Sequence, residues 1–274
     1  MNITSVYITG DTHGAVSSRV GQLLETHPEL VPEQTALIVL GDAGLNYYLN
    51  KKDRLHQYEV EQHGVYVYCV HGNHEERPKN VYGMELIHDE FVNGAVWIDK
   101  TMPHVRYFAD WGIYTIMDKK TLVIGGAYSV DKTYRLQRNF KWFESEQLTD
   151  YEMKACSYST DGRIFDLVLS HTCPLSFQPT DIFLGFIDQS TVDNTMEKWM
   201  EELKDKIRWG IWLYGHYHAD RIEAPHVEQF YTEIEPLVDI LERWRKYDET
   251  GELDWWLPLS PRFQRLINGG SQKD

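Results

Sequence analysis

The chain has 274 residues, 42% hydrophobic and 25% charged, the balance of a folded globular protein and not of a disordered or collagen-like one. At this length a core can be buried without staples, in one large domain or two small ones. Forty-two acidic residues outweigh 27 Lys and Arg for a net charge of −15, a sign that disfavours wrapping a nucleic acid or lying on an anionic membrane and, taken at face value, should repel phosphates as well.

Three cysteines, Cys69, Cys156 and Cys173, show neither paired spacing nor a thiolate zinc pattern, which fits a reducing, cytoplasmic compartment. The N-terminus has no basic start leading into an apolar stretch, and no apolar run reaches the roughly 18–20 residues that span a bilayer. Neither export nor a membrane is expected.

In chain order, one event recurs: a short apolar, β-branched or aromatic run stops abruptly at glycine and polar residues. It occurs at Ser5–Thr9 before Gly-Asp-Thr-His-Gly, at Ala36–Leu40 before Gly-Asp-Ala-Gly, and at Val65–Val70 before His-Gly-Asn-His-Glu. It returns at Thr121–Ile124 before Gly-Gly-Ala-Tyr, at Asp166–Leu169 before Ser-His-Thr, and at Gly210–Tyr214 before Gly-His-Tyr-His. Such runs read as buried strands. Helical patterns lie between them: Ser17–Thr26 carries Val20, Leu23 and Leu24 on one face, and Gln189–Lys206 offers Ser190 or Thr191 as an N-cap before Val192, Met196, Trp199, Met200 and Leu203. Alternating strands and helices imply an α/β layered fold with the sheet between helices and its chemistry in the loops at strand ends. Residues 1–224 read as one domain. Residues 225–274, with an amphipathic pattern over Pro236–Tyr247 and then Trp255 and Trp256, read as an appended cap or interface element.

The strand-end loops carry the histidines. Asp11 and His13 follow the first run, Asp42 the second, Asn73 and His74 the third, His171 the fifth, and His216 and His218 the sixth. Imidazole nitrogens with carboxylate and amide oxygens suit first-row metals such as manganese, iron, nickel or zinc. They are too many for one ion and suit a two-metal hydrolytic site, with Asp42 the natural bridge because its loop supplies no other ligand. Gly10, Gly41, Gly72 and Gly215 each precede a candidate ligand and permit a sharp departure from a strand. His216 and His218 would face opposite ways on a continuing strand, so a turn is expected there.

The ordered set Gly10-Asp-Thr-His13, Gly41-Asp42, Gly72-Asn-His-Glu75, Ser170-His171 and Gly215-His-Tyr-His218 resembles the calcineurin-like metallophosphoesterase superfamily over residues 1 to about 220. The resemblance implies a four-layer α/β architecture, two packed mixed β-sheets flanked by helices, with a dinuclear metal centre at one edge. It implies one metal on Asp11, His13, Asp42 and His218, a second on Asp42, Asn73, His171 and His216, and His74 as the histidine that protonates the leaving group or holds the phosphate. The activity implied is hydrolysis of a phosphomonoester or phosphodiester by a metal-activated hydroxide, without a covalent intermediate. Two divalent ions, manganese first, are the expected cofactors.

The protein-phosphatase branch of that family carries arginines where this chain has Asn46 and His71, which weighs against a serine/threonine phosphatase. The run Gly125–Arg135 resembles a segment of small bacterial and phage members, and offers Arg135 and Lys132 as phosphate contacts, with Arg138 and Lys141 beyond. A guanidinium fits phosphate better than an ammonium, which favours Arg135. A small phosphoester or nucleotide is the expected substrate and a long nucleic acid is disfavoured. A catalytically inactive, metal-bound interaction module is the alternative from another class, and the oligomeric state is left open.

Overall fold

A computed structural model describes residues 2–253 and 258–269. In chain order, β1 (Ser5–Thr9), α1 (Val16–Thr26), β2 (Thr35–Val39), α2 (Lys51–Glu61) and β3 (Tyr66–Cys69) form two successive strand-helix-strand units. β4 (Glu85–Asp89), β5 (Gly94–Ile98), β6 (Val105–Phe108), β7 (Trp111–Ile116) and β8 (Lys119–Ile124) follow without a helix. Then come α3 (Lys132–Gln137), α4 (Asp150–Thr160), β9 (Ile164–Ser170), α5 (Thr195–Lys206), β10 (Arg208–Tyr214), β11 (Arg221–Ala224), β12 (Val227–Gln229), β13 (Ile234–Pro236), α6 (Leu237–Thr250) and α7 (Pro261–Gly269).

The strands make two mixed sheets, one ordered β13-β1-β2-β3-β6-β5-β4 and the other β11-β12-β10-β9-β8-β7. Within the first, β1, β2, β3 and β6 run parallel, with Ile8 opposite Ile38 and Ile38 opposite Tyr68. Within the second, β8, β9, β10 and β12 run parallel, with Leu167 opposite Ile211. Antiparallel strands close the edges of both. The alternation of strand and helix alone implies one sheet between helices. Two sheets form because the connection from β3 to β8 is a run of strands that carries the chain across.

Three apolar clusters match the four layers. Val6, Ile8, Ile38, Val70, Leu167, Leu169 and Leu213 fill the space between the sheets. Tyr7, Leu37, Val39 and Val67 take the outer face of the first sheet under Val16, Val20 and Leu23 of α1. Leu122, Val168 and Trp212 take the outer face of the second under Met153 of α4 and Met196, Met200 and Leu203 of α5. Strands covered on both faces read as continuous apolar runs, which is why the central ones are visible in sequence.

One expectation is corrected. The helix expected over Gln189–Lys206 begins only at Thr195; Gln189–Thr191 is a single 3-10 turn capped by the Asp188 side chain, and neither Ser190 nor Thr191 caps α5. The segment after residue 224 packs on both sheets. β12 joins the second sheet and β13 the first, while Leu237, Ile240 and Trp244 of α6 are buried in the inter-sheet core. Arg243 fastens the two, its Nη1 donating to Glu228 of β12 at 2.7 and 2.8 Å and its Nη2 pairing with Glu235 of β13. Trp255 and Trp256 lie outside the described residues.

Candidate metal centre

Parallel strands point their C-terminal ends one way, and the loops leaving β1, β2, β3, β8, β9 and β10 therefore meet at one edge of the sandwich. Four of the predicted ligands occupy left-handed backbone there: His13 (φ 47°), Asp42 (φ 47°), His216 (φ 68°) and His218 (φ 54°). Non-glycine residues in that region cost about 1–3 kcal/mol each and gather at functional sites. The turn expected between His216 and His218 is real, since both residues reverse out of the strand and both side chains reach the cluster. Gly41 has φ 102°, and a Cβ on it would lie 1.9 Å from His171 Nδ1. A Cβ on Gly72 would lie 2.1 Å from Asp42 Oδ1. These glycines let the loops of different strands close on one another.

One group joins Asp11, His13 and His218. His218 Nε2 lies 3.2 Å from Asp11 Oδ2 and 3.0 Å from His13 Nε2. A second joins Asn73, His171 and His216, with Asn73 Oδ1 2.8 Å from His171 Nε2 and 3.1 Å from His216 Nδ1. Asp42 stands between them: its Oδ1 is 3.6 Å from His171 Nε2, and its Oδ2 is 3.8 Å from both His13 Nδ1 and His74 Nδ1.

The donor set fits cations. His171 Nδ1 donates to the Leu40 carbonyl at 2.8 Å, so in the neutral ring Nε2 is a lone pair facing the Asn73 amide oxygen. Asn73 Nδ2 is committed to Ser129 Oγ at 2.9 Å, which turns the amide oxygen inward. Two acceptors face each other, an arrangement that a cation relieves. Asp11 Oδ2 is buried and turned into the cluster, with the His218 imidazole 3.2 Å away, while Asp11 Oδ1 is held by the His216 backbone N–H at 2.9 Å. Backbone carbonyls and hydroxyls that fix ligand tautomers in this way are the usual support of a metal site. Compatible ligand triads are Asp11–His13–His218, His13–Asp42–His74 and Asp11–Asp42–His171.

Burial disfavours ionising Asp42, yet His171, His74 and His13 around it hold its carboxyl below the usual carboxylate range. Burial, with His171 adding to it, holds His216 well below its ordinary value, so its imidazole is neutral and able to bind metal. Glu75 takes no part as a ligand. Its carboxyl accepts from the backbone N–H groups of Ala43 (3.2 Å), Gly44 (3.1 Å) and Gly72 (3.4 Å), tying the β2 and β3 loops together, and burial pushes it up to about 8.

His74 lies beside the ligands and against Arg135, whose Nη2 donates to His74 Nδ1 at 2.9 Å. Asp131 fixes that guanidinium, accepting from Arg135 Nε with both oxygens at 2.8 Å. Lys132 is not brought to the cluster; its ammonium sits 3.9 Å over the Trp142 ring instead. Nor do its neighbours reach it, for Lys141 Nζ donates to the Tyr48 carbonyl and the Arg138 guanidinium packs over Tyr134. Asn46 is buried against Gln57, and His71, held down to about 4 by burial, lies 3.3 Å from the Glu75 carbonyl, so neither supplies a cation. Sequence reasoning passed over Ser129 and the Leu40 carbonyl. No motif marks either, and only their contacts with Asn73 and His171 reveal them.

Eight candidate residues therefore meet at one sandwich edge. The calcineurin-like phosphoesterase family matches residues 4–220, and the chain belongs to that family. It is a hydrolase acting on phosphoester bonds. Among solved structures it is similar to the phosphopantetheinyl hydrolase of Mycobacterium tuberculosis, at 13% identity over 90% of this chain and 93% of that one, with a TM-score of 0.39. No curated protein matches the sequence. No helix among the described residues is long and apolar enough to cross a membrane.

Proposed function

We propose that the chain hydrolyses a small phosphomonoester or phosphodiester, such as a nucleotide, at a dinuclear centre and without a covalent intermediate. The observation that carries this reading is the pair of ligand groups flanking Asp42, each with an oxygen or nitrogen left facing inward. One ion would be held by Asp11, His13, Asp42 and His218, the other by Asp42, Asn73, His171 and His216. Manganese is the first choice, with iron, zinc and nickel as the alternatives. When bound, such ions polarise phosphoryl oxygens and lower the pKa of water.

The chain's own residues do the rest. Asp11 and Asp42 are the only anions in the ligand set, so the loaded centre stays positive and attracts a phosphate despite the acidic exterior. Arg135, held rigid by Asp131, faces the same space and would bind a phosphoryl oxygen. His74 is the proposed proton donor to the leaving oxygen. Burial, with Arg135 beside the ring, lowers its pKa even though Asp42 opposes them. A phosphate dianion taken up between His74 and Arg135 replaces that contact and favours the imidazolium, so the acid forms where it is needed.

Asn46 and His71 offer no guanidinium, which weighs against a serine/threonine phosphatase. Three buried, unpaired cysteines are consistent with a cytoplasmic location. The test is turnover of 4-nitrophenyl phosphate and bis(4-nitrophenyl) phosphate with Mn²⁺, before and after chelation. Hydrolysis of either, abolished by chelator, is expected. Two intact esters on a chain that has bound the metal would refute the reading and favour the inactive module.

A further inference from the structure

Between β9 and α5 the chain runs from residue 171 to 194 through three short 3-10 turns, and it builds a wall beside the cluster. The resulting cavity, about 560 Å³, is lined at one end by Asp42, Asn73, His74, His216 and His218. Away from them its wall is Val130, Ile182, Phe183, Leu184, Ile187 and Val192. Leu184 is 52% exposed and Ile182 40% exposed, although apolar side chains on a loop have no reason of their own to line an open cavity. Phe183 stacks on Tyr217, ring centroids 5.9 Å apart, which fixes its position on the wall.

Charge restricts what enters. Asp131, Asp193 and Glu197 line the cavity, and among its described lining residues there is no lysine or arginine.

We infer that this cavity is the leaving-group subsite and that it accepts an uncharged, mainly apolar alcohol. The inference rests on the phosphoesterase reading, because a phosphate at the cluster leaves its ester oxygen facing the apolar wall. A second phosphate on the arm would meet carboxylates and no cation. Cavities of this size commonly enclose a small organic ligand.

The experiment measures kcat/KM with Mn²⁺ for ethyl, butyl and hexyl phosphate and for hexane-1,6-diol bisphosphate. Each methylene that is fully buried is worth about fourfold, so hexyl phosphate should exceed ethyl phosphate by about tenfold or more, and the bisphosphate should lose that gain. Phe183→Ala and Leu184→Ala, both on the loop wall, should flatten the dependence on chain length. A flat chain-length series, or a preference for the bisphosphate, would overturn the subsite while leaving the phosphoesterase reading intact. If no ester is hydrolysed, that reading fails, and calorimetry with methyl- and hexylphosphonate on the metal-free chain decides the subsite independently. Tighter binding of hexylphosphonate with a more negative heat-capacity change supports it, and equal binding refutes it.

Discussion

Replacing Gly72 with alanine tests whether Asp42 is held at a ligand position, because the added methyl group points at Asp42 and at little else. Its Cβ would stand 2.1 Å from Asp42 Oδ1 and 2.2 Å from the Asp42 backbone nitrogen. Non-bonded heavy atoms prefer separations of about 3.5–4.0 Å, so the loop after β2 must retreat by more than about 1 Å. Rotating the Asp42 side chain gives no relief, since its backbone is also struck. Gly72 has no left-handed φ, so the substitution adds crowding without backbone strain, and the expected loss of stability is that of overpacking, about 1–3 kcal/mol. The catalytic loss should be larger, because misplacing a reacting group by about 1 Å can cost about 100-fold. The assay pairs metal content after desalting in Mn²⁺ with aryl phosphate turnover and a melting curve. A folded variant with reduced metal content and turnover about 100-fold down is expected. Full metal content with turnover near that of the parent chain would show that the Asp42 carboxylate can move freely, and would refute its place between two ions.

His74→Asn should lower turnover by about 10²–10⁴-fold, the range of a general acid, with metal content unchanged; loss of metal would make His74 a ligand instead. In the metal-free chain, burial holds His71 at about 4 and His216 well below 6.5, so both take up protons on unfolding as pH falls below 6.5, and acid costs stability. Burial pushes Glu75 to about 8 and Glu197 to about 7 from 4.5, so both release protons on unfolding, and rising pH costs stability until about 8. The two sets offset each other below 6.5; above it the carboxyls act together with His218, which its bond to Asp11 holds above its ordinary value. Tm should therefore fall between pH 6.5 and 8, and Glu75→Gln should reduce the fall; an unchanged slope would remove Glu75 as its cause. Arg243→Ala leaves Glu228 buried and without its ion partner, a change of about 3–5 kcal/mol measurable from urea midpoints; a negligible shift would mean that α6 does not fasten the sheets.

What the sequence showed, and what it hid, follows from where information is local. Each loop that carries a candidate ligand follows an apolar run, and all but the His171 loop open on a glycine or on a residue just before one, so strand, turn and candidate ligand are legible together at β1, β2, β3, β9 and β10. The edges were not legible. β4, Glu-Leu-Ile-His-Asp, buries only Asp89 of its five residues and forms no apolar run, while β5, Gly-Ala-Val-Trp-Ile, is apolar but alternates buried and less buried positions and ends in no glycine-led polar loop. β12 is Val-Glu-Gln, and its Glu228 is buried only because Arg243 and Trp244, some 15 residues later, come to meet it. A glutamate whose partner arrives through tertiary packing reads as solvent-facing in any local window. Lys132 and Arg135 share one face of α3, yet their side chains part: the Lys132 ammonium goes over the Trp142 ring, while Asp131 turns the Arg135 guanidinium to His74, a difference that no local pattern shows.

The net charge of −15 and the phosphoester chemistry are compatible once distance is considered. Exposed charges act over a screening length of about 8 Å at physiological salt, and most of the acidic excess lies on the outside. At the sandwich edge, Asp11 and Asp42 are the only anions of the candidate ligand set, so two divalent ions bound there would leave the centre positive, with the Arg135 guanidinium against His74 beside it. The carboxylates that remain close, Asp131, Asp193 and Glu197, line the cavity beyond the cluster. In the proposed subsite they would oppose a second anionic group on the substrate. Negative charge on this protein would then act as a filter on the leaving group and not as a barrier to phosphate. The same distribution makes a polyanion, which would have to lay phosphates along that wall, a poor fit.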